Sequence, residues 1–238
     1  MEENPKKILI TGTSSGIGEF LAKKFIENKC IVIGIARKKA TIKNKNYFHY
    51  ITNINNEKNI KRIFNNIKKK FQNIDTVVNN AGSTTEGYTS SSFEKNIRDN
   101  LNAPFLINKY SIELMKKRGG KIINISSIAG IVALPNNPGY NSAKAAINLL
   151  TKSFALDYGK YNINVNSLAL GYFPTKMTKR SFANRKKNML IKKNTILNRW
   201  GKLEEIWGPI KFLSSKEANY ITGQTLIVDG GWLSKGLR

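Results

Sequence analysis

Eight residues near the start of the chain, Thr11-Gly12-Thr13-Ser14-Ser15-Gly16-Ile17-Gly18, restrict its fold more than any others. They separate a buried-strand pattern, Lys7–Ile10, from an amphipathic helix pattern, Gly18–Phe25. Each glycine in such a turn has a mechanical purpose. Gly12 permits the tight reversal, Gly16 lets a diphosphate approach the backbone, and Gly18 lets helix and strand pack closely. The helix start then offers free amides to phosphate, and Ser14 and Ser15 add hydroxyl donors. Two readings follow: a dinucleotide cradle, or a purely structural turn.

What comes next favours the cradle. A second strand, Cys30–Ala36, ends at Arg37-Lys38-Lys39. An acidic residue there would bind the adenosine ribose hydroxyls and favour NAD(H). A guanidinium instead clasps a 2′-phosphate, so NADP(H) is the expected cofactor and NAD(H) the lesser one; the alternative is a solvated basic loop. Too few residues precede the next strand, Tyr47–Ile51, for a full crossover helix. Asn53 follows, an amide able to meet an adenine edge or to make a plain turn. Glu57–Phe71 carries Ile60, Ile63, Phe64, Ile67 and Phe71 along one helix face, which reads as core.

The strand Ile74–Val78 runs into Asn79-Asn80-Ala81-Gly82, small residues that leave room at a sheet edge. A long helix is expected from about Ser92 to Lys117. It contains Asn100 and Pro104, which disfavour regular helix and predict a local kink with an unpaired carbonyl. The strand Lys121–Ser126 leads to Ser127, a candidate hydroxyl or a simple cap. Then comes Tyr140-Asn141-Ser142-Ala143-Lys144. A tyrosine and a lysine at this spacing share a helix face. A phenol titrates near 10, too high for proton transfer near neutrality. A neighbouring ammonium is expected to lower that value.

Length and composition bound the rest. At 238 residues, with 40% hydrophobic and 23% charged residues, the chain can bury one large α/β core. No apolar run approaches the roughly 18 residues of a membrane span. The first one, Ile8–Ile10, is too short for a signal peptide, so a cytoplasmic protein is expected. Cys30 is the only cysteine and His49 the only histidine, which removes disulfide frameworks and Cys/His metal clusters and restricts any Ser-His-Asp arrangement to His49.

In order, Thr11-Gly12-x-x-x-Gly16-x-Gly18, Asn79-Asn80-Ala81-Gly82, Asn100, Ser127, Tyr140-x-x-x-Lys144 and the run Tyr220–Gly231 resemble the short-chain dehydrogenase/reductase family over nearly the whole chain, Ile8 to Trp232. The resemblance implies one α/β Rossmann-type domain over residues 1–238. Its sheet would be doubly wound, seven-stranded and mostly parallel, with helices on both faces. It implies a homotetramer, or a dimer, built through the last strand and two helices. It also implies interconversion of a small-molecule ketone and a secondary alcohol. Tyr140 would be the acid/base and Lys144 would lower its pKa and hold the nicotinamide ribose. Ser127 would polarise the substrate oxygen, and Asn100 would hold a water linking Lys144 to solvent. Cofactor contacts are implied at Gly12, Ser14, Ser15, Gly16, Ile17, Gly18, Arg37, Asn53, Ile54, Asn80, Ala81, Gly82, Tyr140, Lys144, Gly171, Phe173 and Thr175. Three departures stand out. Leu170 replaces a usual proline, Asn53 replaces a common aspartate, and the loop after Gly82 is short.

The formal charge of +25 reflects either an anionic partner or compositional drift toward Lys, Asn and Ile. From Tyr158 to Leu203 there is no acidic residue, and the segment at about 175–200, which the resemblance makes a lid over the substrate, is strongly basic. An acyl chain on an acidic carrier, a nucleotide-sugar, or a small acid or sugar acid would suit it. Lys116-Lys117-Arg118 and Arg199–Glu205 resemble 3-oxoacyl-carrier-protein reductases, the first as a carrier-docking patch. A nucleic-acid binder is disfavoured because the basic residues are scattered and no recognition module is visible. A catalytically silent NADP(H) sensor is the alternative function.

Overall fold

A computed structural model describes residues 5–235, so the outer ends of the expected 1–238 domain, residues 1–4 and 236–238, lie outside the described residues. Seven strands form one sheet in the order β3-β2-β1-β4-β5-β6-β7, every neighbouring pair parallel. They are β1 (Lys7–Thr11), β2 (Ile31–Ala36), β3 (Tyr47–Ile51), β4 (Thr76–Asn79), β5 (Gly120–Ser127), β6 (Ile163–Leu170) and β7 (Thr225–Val228). The sheet is thus wholly rather than mostly parallel. Parallel strands need covered faces, and side chains alternate across a strand. Leu9 accordingly enters one core with α2 (Glu57–Phe71), α4 (Ala103–Met115) and α5 (Pro138–Tyr158). Ile8 and Ile10 enter the other with α1 (Gly16–Glu27) and α8 (Glu204–Leu213).

The helices follow their patterns. In α2, Ile60, Ile63, Phe64, Ile67 and Phe71 are all buried, and Asn56 caps its start by accepting from the Asn59 N–H at 3.1 Å. Residues 37–46, between β2 and β3, contain no helix, as their shortness requires. The long helix expected from Ser92 to Lys117 is instead α3 (Ser90–Ile97), a π-helical turn at Arg98–Asn102, and α4. The wider turn absorbs the kink at Asn100 and lets Pro104 sit at the first turn of α4, where its missing N–H costs nothing. Two short helices, α6 (Lys179–Ala183) and α7 (Arg185–Asn194), cross the carboxyl end of the sheet. Among the described residues, no helix is long and apolar enough to cross a membrane.

The chain runs outward from β1 to β3, then returns to place β4 on the other side of β1. This reversal opens a crevice at the carboxyl ends of β1 and β4, the usual ligand position in such sheets.

Candidate active site

A cleft of about 810 Å³ fills that crevice and extends past β5 and β6 to α7. At one end lies the glycine turn. Gly12 and Gly16 have φ of 80° and 61°, the left-handed region that glycine adopts freely. A Cβ on Gly12 would fall 2.8 Å from Asn80 Nδ2, whereas one on Gly16 would meet nothing nearer than Thr175 Cβ at 4.0 Å. Gly16 therefore opens directly onto the cleft. Ser15 begins α1 without capping it through its side chain, so the first amides of α1 face the cleft unclaimed by that hydroxyl. Ser14, Ser15, Ile17 and Thr175 line the same end. A backbone cradle of this kind, open to the cleft, fits a diphosphate.

Gly18 is not part of the lining. Its Cβ would lie 2.4 Å from Gly12 O, the close packing of helix and strand expected at this position. Asn80 lines the cleft but gives its amide to Thr11 O at 2.9 Å, and the Asn80 and Ala81 N–H groups both donate to Thr11 Oγ1. These bonds lock β4 to β1. Farther out, Arg37 and Lys38 stand exposed at the rim beside Asn53 and Ile54. Asn53 Oδ1 accepts from the Asn55 N–H at 3.1 Å, which orients the residue within a turn.

At the other end, Asn100, Ser127, Tyr140 and Lys144 come together with Gly82, from four separate segments. Ser127 terminates β5, its oxygen accepting from the Ala129 N–H at 3.1 Å, and its hydroxyl acts on the Tyr140 phenol to lower its pKa. Lys144 is 6% exposed and donates to Ile125 O at 2.8 Å. Its Nζ lies 5.6 Å from the Tyr140 ring centre. Asn100 donates through Nδ2 to Ser83 O and Asn96 O, leaving its buried Oδ1 without a partner. A Cβ on Gly82 would stand 2.6 Å from that oxygen and 3.9 Å from Lys144 Nζ, so the glycine lets both approach the same space. An orphaned acceptor beside a buried ammonium fits a bridging water.

The electrostatics overturn one expectation. The Tyr140 phenol is held above its ordinary value, not below it. Burial is the largest cause; the Ser127 hydroxyl pulls the other way and Tyr172 adds to the rise. Burial also lowers Lys144 from 10.5 to about 8. The ammonium spends a proton on the Ile125 carbonyl and is itself desolvated, so it does not offset the burial of the phenol.

Beyond this end the cleft is walled by Tyr172, Trp232, Leu134, Leu190 and Ile191. Tyr172 packs edge-on against buried Trp200 at 5.5 Å between ring centres, and Phe182 of α6 also packs edge-on against Trp200, at 5.1 Å. Trp200 Nε1 donates to Asn188 of α7 at 3.2 Å. Sequence reasoning missed Tyr172 and Trp232; the adjacency of Tyr172 to Gly171 was the available signal. Gly171 and Phe173 line the cleft as expected. Leu170, at the usual proline position, continues β6 and pairs in register with Val228. Of the basic side chains between Lys176 and Arg199, only Lys176 and Lys187 line the cleft. Lys116-Lys117-Arg118 precedes Gly120, the first residue of β5, at the amino end of the sheet, opposite the cleft.

The model of a family described as enoyl-(acyl carrier protein) reductase matches residues 12–233. The chain is 37% identical over 240 residues to a 3-oxoacyl-acyl-carrier-protein reductase of Rickettsia typhi, covering 96% of this chain and 97% of the relative. It is 32% identical to a 2-dehydro-3-deoxy-D-gluconate 5-dehydrogenase of Bacillus subtilis, over 97% and 95% of the two chains. The solved structure of a gluconate 5-dehydrogenase from Burkholderia cenocepacia, in complex with NADP and tartrate, superposes with a TM-score of 0.93 at 29% identity, over 98% and 96%.

Proposed function

The chain belongs to the short-chain dehydrogenase/reductase family and is an oxidoreductase of CH–OH groups; from that premise we propose that it interconverts a ketone and a secondary alcohol with NADP(H), Tyr140 carrying the proton. One observation carries this reading: Tyr140, Ser127, Lys144 and Asn100 occupy one end of a cleft whose other end is the glycine turn.

The bound nicotinamide dinucleotide supplies the hydride. The glycine turn and the start of α1 hold its diphosphate, Arg37 its 2′-phosphate, and Asn53 and Ile54 its adenine. Gly82, Lys144, Gly171, Phe173 and Thr175 line its remaining length. Ser127 donates to the substrate carbonyl oxygen and orients the phenol. Tyr140, protonated near neutrality, gives its proton to that oxygen in reduction and takes it back in oxidation. Lys144 Nζ faces the same space as Asn100 Oδ1, which accepts from a water that returns the proton from solvent.

Residues 175–200 act as the lid. Lys176 and Lys187 bring positive charge to a wall otherwise made by Tyr172, Leu190 and Ile191. That pairing favours an anionic substrate with an apolar portion, an acyl carrier derivative or a sugar acid. The names of the relatives, a carrier-protein reductase and a gluconate-type dehydrogenase, point to the same two classes. Assembly into a homotetramer or dimer is supported by exposed Leu149 and Leu156 on α5 and exposed Leu226 and Ile227 on edge strand β7.

The test is Tyr140→Phe. NADPH oxidation against a panel of ketones, acidic and neutral, falls to background while NADPH affinity stays within about twofold of wild type. Retained turnover refutes the proton role. A wild type that binds NADPH but turns over no ketone favours a silent cofactor sensor.

A further inference from the structure

His49, the only histidine, has no part in the chemistry above. It sits on β3 opposite Gly34 of β2, and Tyr47 lies two residues earlier on the same face. Gly34 has no side chain, and that gap is used. A Cβ there would fall 2.4 Å from Tyr47 Oη and 2.6 Å from Thr13 Oγ1. Tyr47 therefore reaches across β2 and hydrogen-bonds the Thr13 hydroxyl, inside the glycine turn, at 2.8 Å. The same hydroxyl is 2.8 Å from His49 Nδ1, and the two rings stack with centres 5.7 Å apart. His49 Nε2 lies 3.0 Å from Lys38 O. A carbonyl only accepts, so Nε2 bears the hydrogen.

The bond to Lys38 has a particular position. Arg37 is a single residue between two fixed carbonyls. Upstream, Ala36 O accepts from the Thr52 N–H at 2.9 Å. Downstream, Lys38 O accepts from His49. The first anchor is backbone and indifferent to sequence; the second exists only because residue 49 is a histidine. Farther along, Thr41 donates to Glu19 of α1 at 2.8 Å.

We infer that His49, held by Tyr47 to the glycine turn, is a positioning residue that presets the Arg37-Lys38 loop for the cofactor 2′-phosphate and so sets the preference for NADP(H). Pre-ordering a loop removes the entropy cost of ordering it on binding. The benefit falls on the ligand that uses the loop, the one with a 2′-phosphate, and not on the diphosphate common to both cofactors. This rests on the reading of Arg37 given above.

The experiment measures binding, not turnover. NADPH and NADH are titrated by fluorescence, and adenosine 2′,5′-bisphosphate and 5′-AMP by calorimetry, against wild type, Arg37→Ala, His49→Phe and His49→Gln. His49→Phe keeps a ring beside Tyr47 but loses the donor to Lys38. It weakens NADPH and the bisphosphate by roughly three- to tenfold, the net worth of about one hydrogen bond, and leaves NADH and 5′-AMP within about twofold. His49→Gln restores an N–H at similar reach and recovers most of the loss. Equal weakening of all four ligands, no weakening of any, or a Gln variant that behaves like Phe overturns the inference. If wild type shows no NADPH preference, or Arg37→Ala keeps it, the Arg37 reading falls and this inference with it. If Arg37→Ala abolishes the preference while His49→Phe keeps it, this inference alone falls.

Discussion

Replacing Lys144 with methionine should stabilise the fold at pH 7 while abolishing turnover. Lys144 is 6% exposed and its pKa drops from 10.5 to about 8 through burial. At about 1.4 kcal/mol per pH unit, that gap costs about 3 kcal/mol at neutral pH. Between pH 8 and 10.5 the unfolded chain keeps this proton while the folded chain has released it. The unfolded state then binds more protons, so stability rises with pH across the window. Methionine matches the unbranched stem and removes the charge, but it orphans Ile125 O, which now accepts from Nζ at 2.8 Å. Leaving that carbonyl unsatisfied costs about 1–3 kcal/mol. The net gain at pH 7 is therefore about 1 kcal/mol, or about 2–4 °C in Tm for a chain of this size. The pH dependence is the sharper readout. The advantage of Lys144→Met should shrink by about 2–3 kcal/mol between pH 7 and pH 10 and reverse sign. Denaturant unfolding of both proteins at four pH values measures it. A difference that stays constant with pH, or a variant already less stable at pH 7, refutes the reasoning.

Arg37→Asp should invert the cofactor preference, weakening NADPH by at least about tenfold through repulsion of the 2′-phosphate while sparing NADH; paired titrations check it, and an unchanged ratio counts against the assignment. Gly18→Ala forces a Cβ to within 2.4 Å of Gly12 O and 2.5 Å of Asn80 Nδ2, so it should cost about 1–3 kcal/mol. Gly159→Ala meets nothing within 4 Å and has ordinary helical φ and ψ, so it should stabilise by about 0.4–1 kcal/mol; thermal melts of the two variants should move in opposite directions. Lys176→Gln with Lys187→Gln should lower kcat/KM for an acidic ketone and flatten its dependence on ionic strength. Lys186→Gln with Lys193→Gln, outside the cleft lining, should do neither, and equal effects from both pairs would assign the basic stretch to its overall field.

Most of the fold was legible because it rests on short-range patterns. The apolar positions of α2 repeat at helical spacing, the residues between β2 and β3 are too few for a helix, and three glycines mark the first turn. The kink around Asn100 was legible as a defect, but its form was not. A π-helical turn depends on Asn100 donating to Asn96 O and to Ser83 O, the latter on another segment. Residue types at the catalytic end were legible; their orientations were not. Asn80 turning to Thr11, Lys144 turning to Ile125 O, and nine basic side chains of the lid segment and its flanks turning from the cleft are all outcomes of packing between segments distant in sequence.

The phenol shows why this matters for mechanism. Spacing alone puts an ammonium beside Tyr140, and an ammonium in water would acidify it. Here Lys144 is buried and Tyr140 partly so, and desolvation acts on each in the direction of neutrality: Tyr140 up, Lys144 down. A neutral phenol donates and a phenolate accepts, so if Tyr140 carries the proton, its upward shift moves the onset of alcohol oxidation to higher pH. The Ser127 hydroxyl is the contact that opposes the shift. It follows that Ser127→Ala should raise the pH at which alcohol oxidation becomes half-maximal, because the phenol then titrates higher still, while reduction at neutral pH loses only the polarisation of the substrate oxygen. A pH profile of oxidation that does not move in that variant would mean that Ser127 acts on the substrate alone.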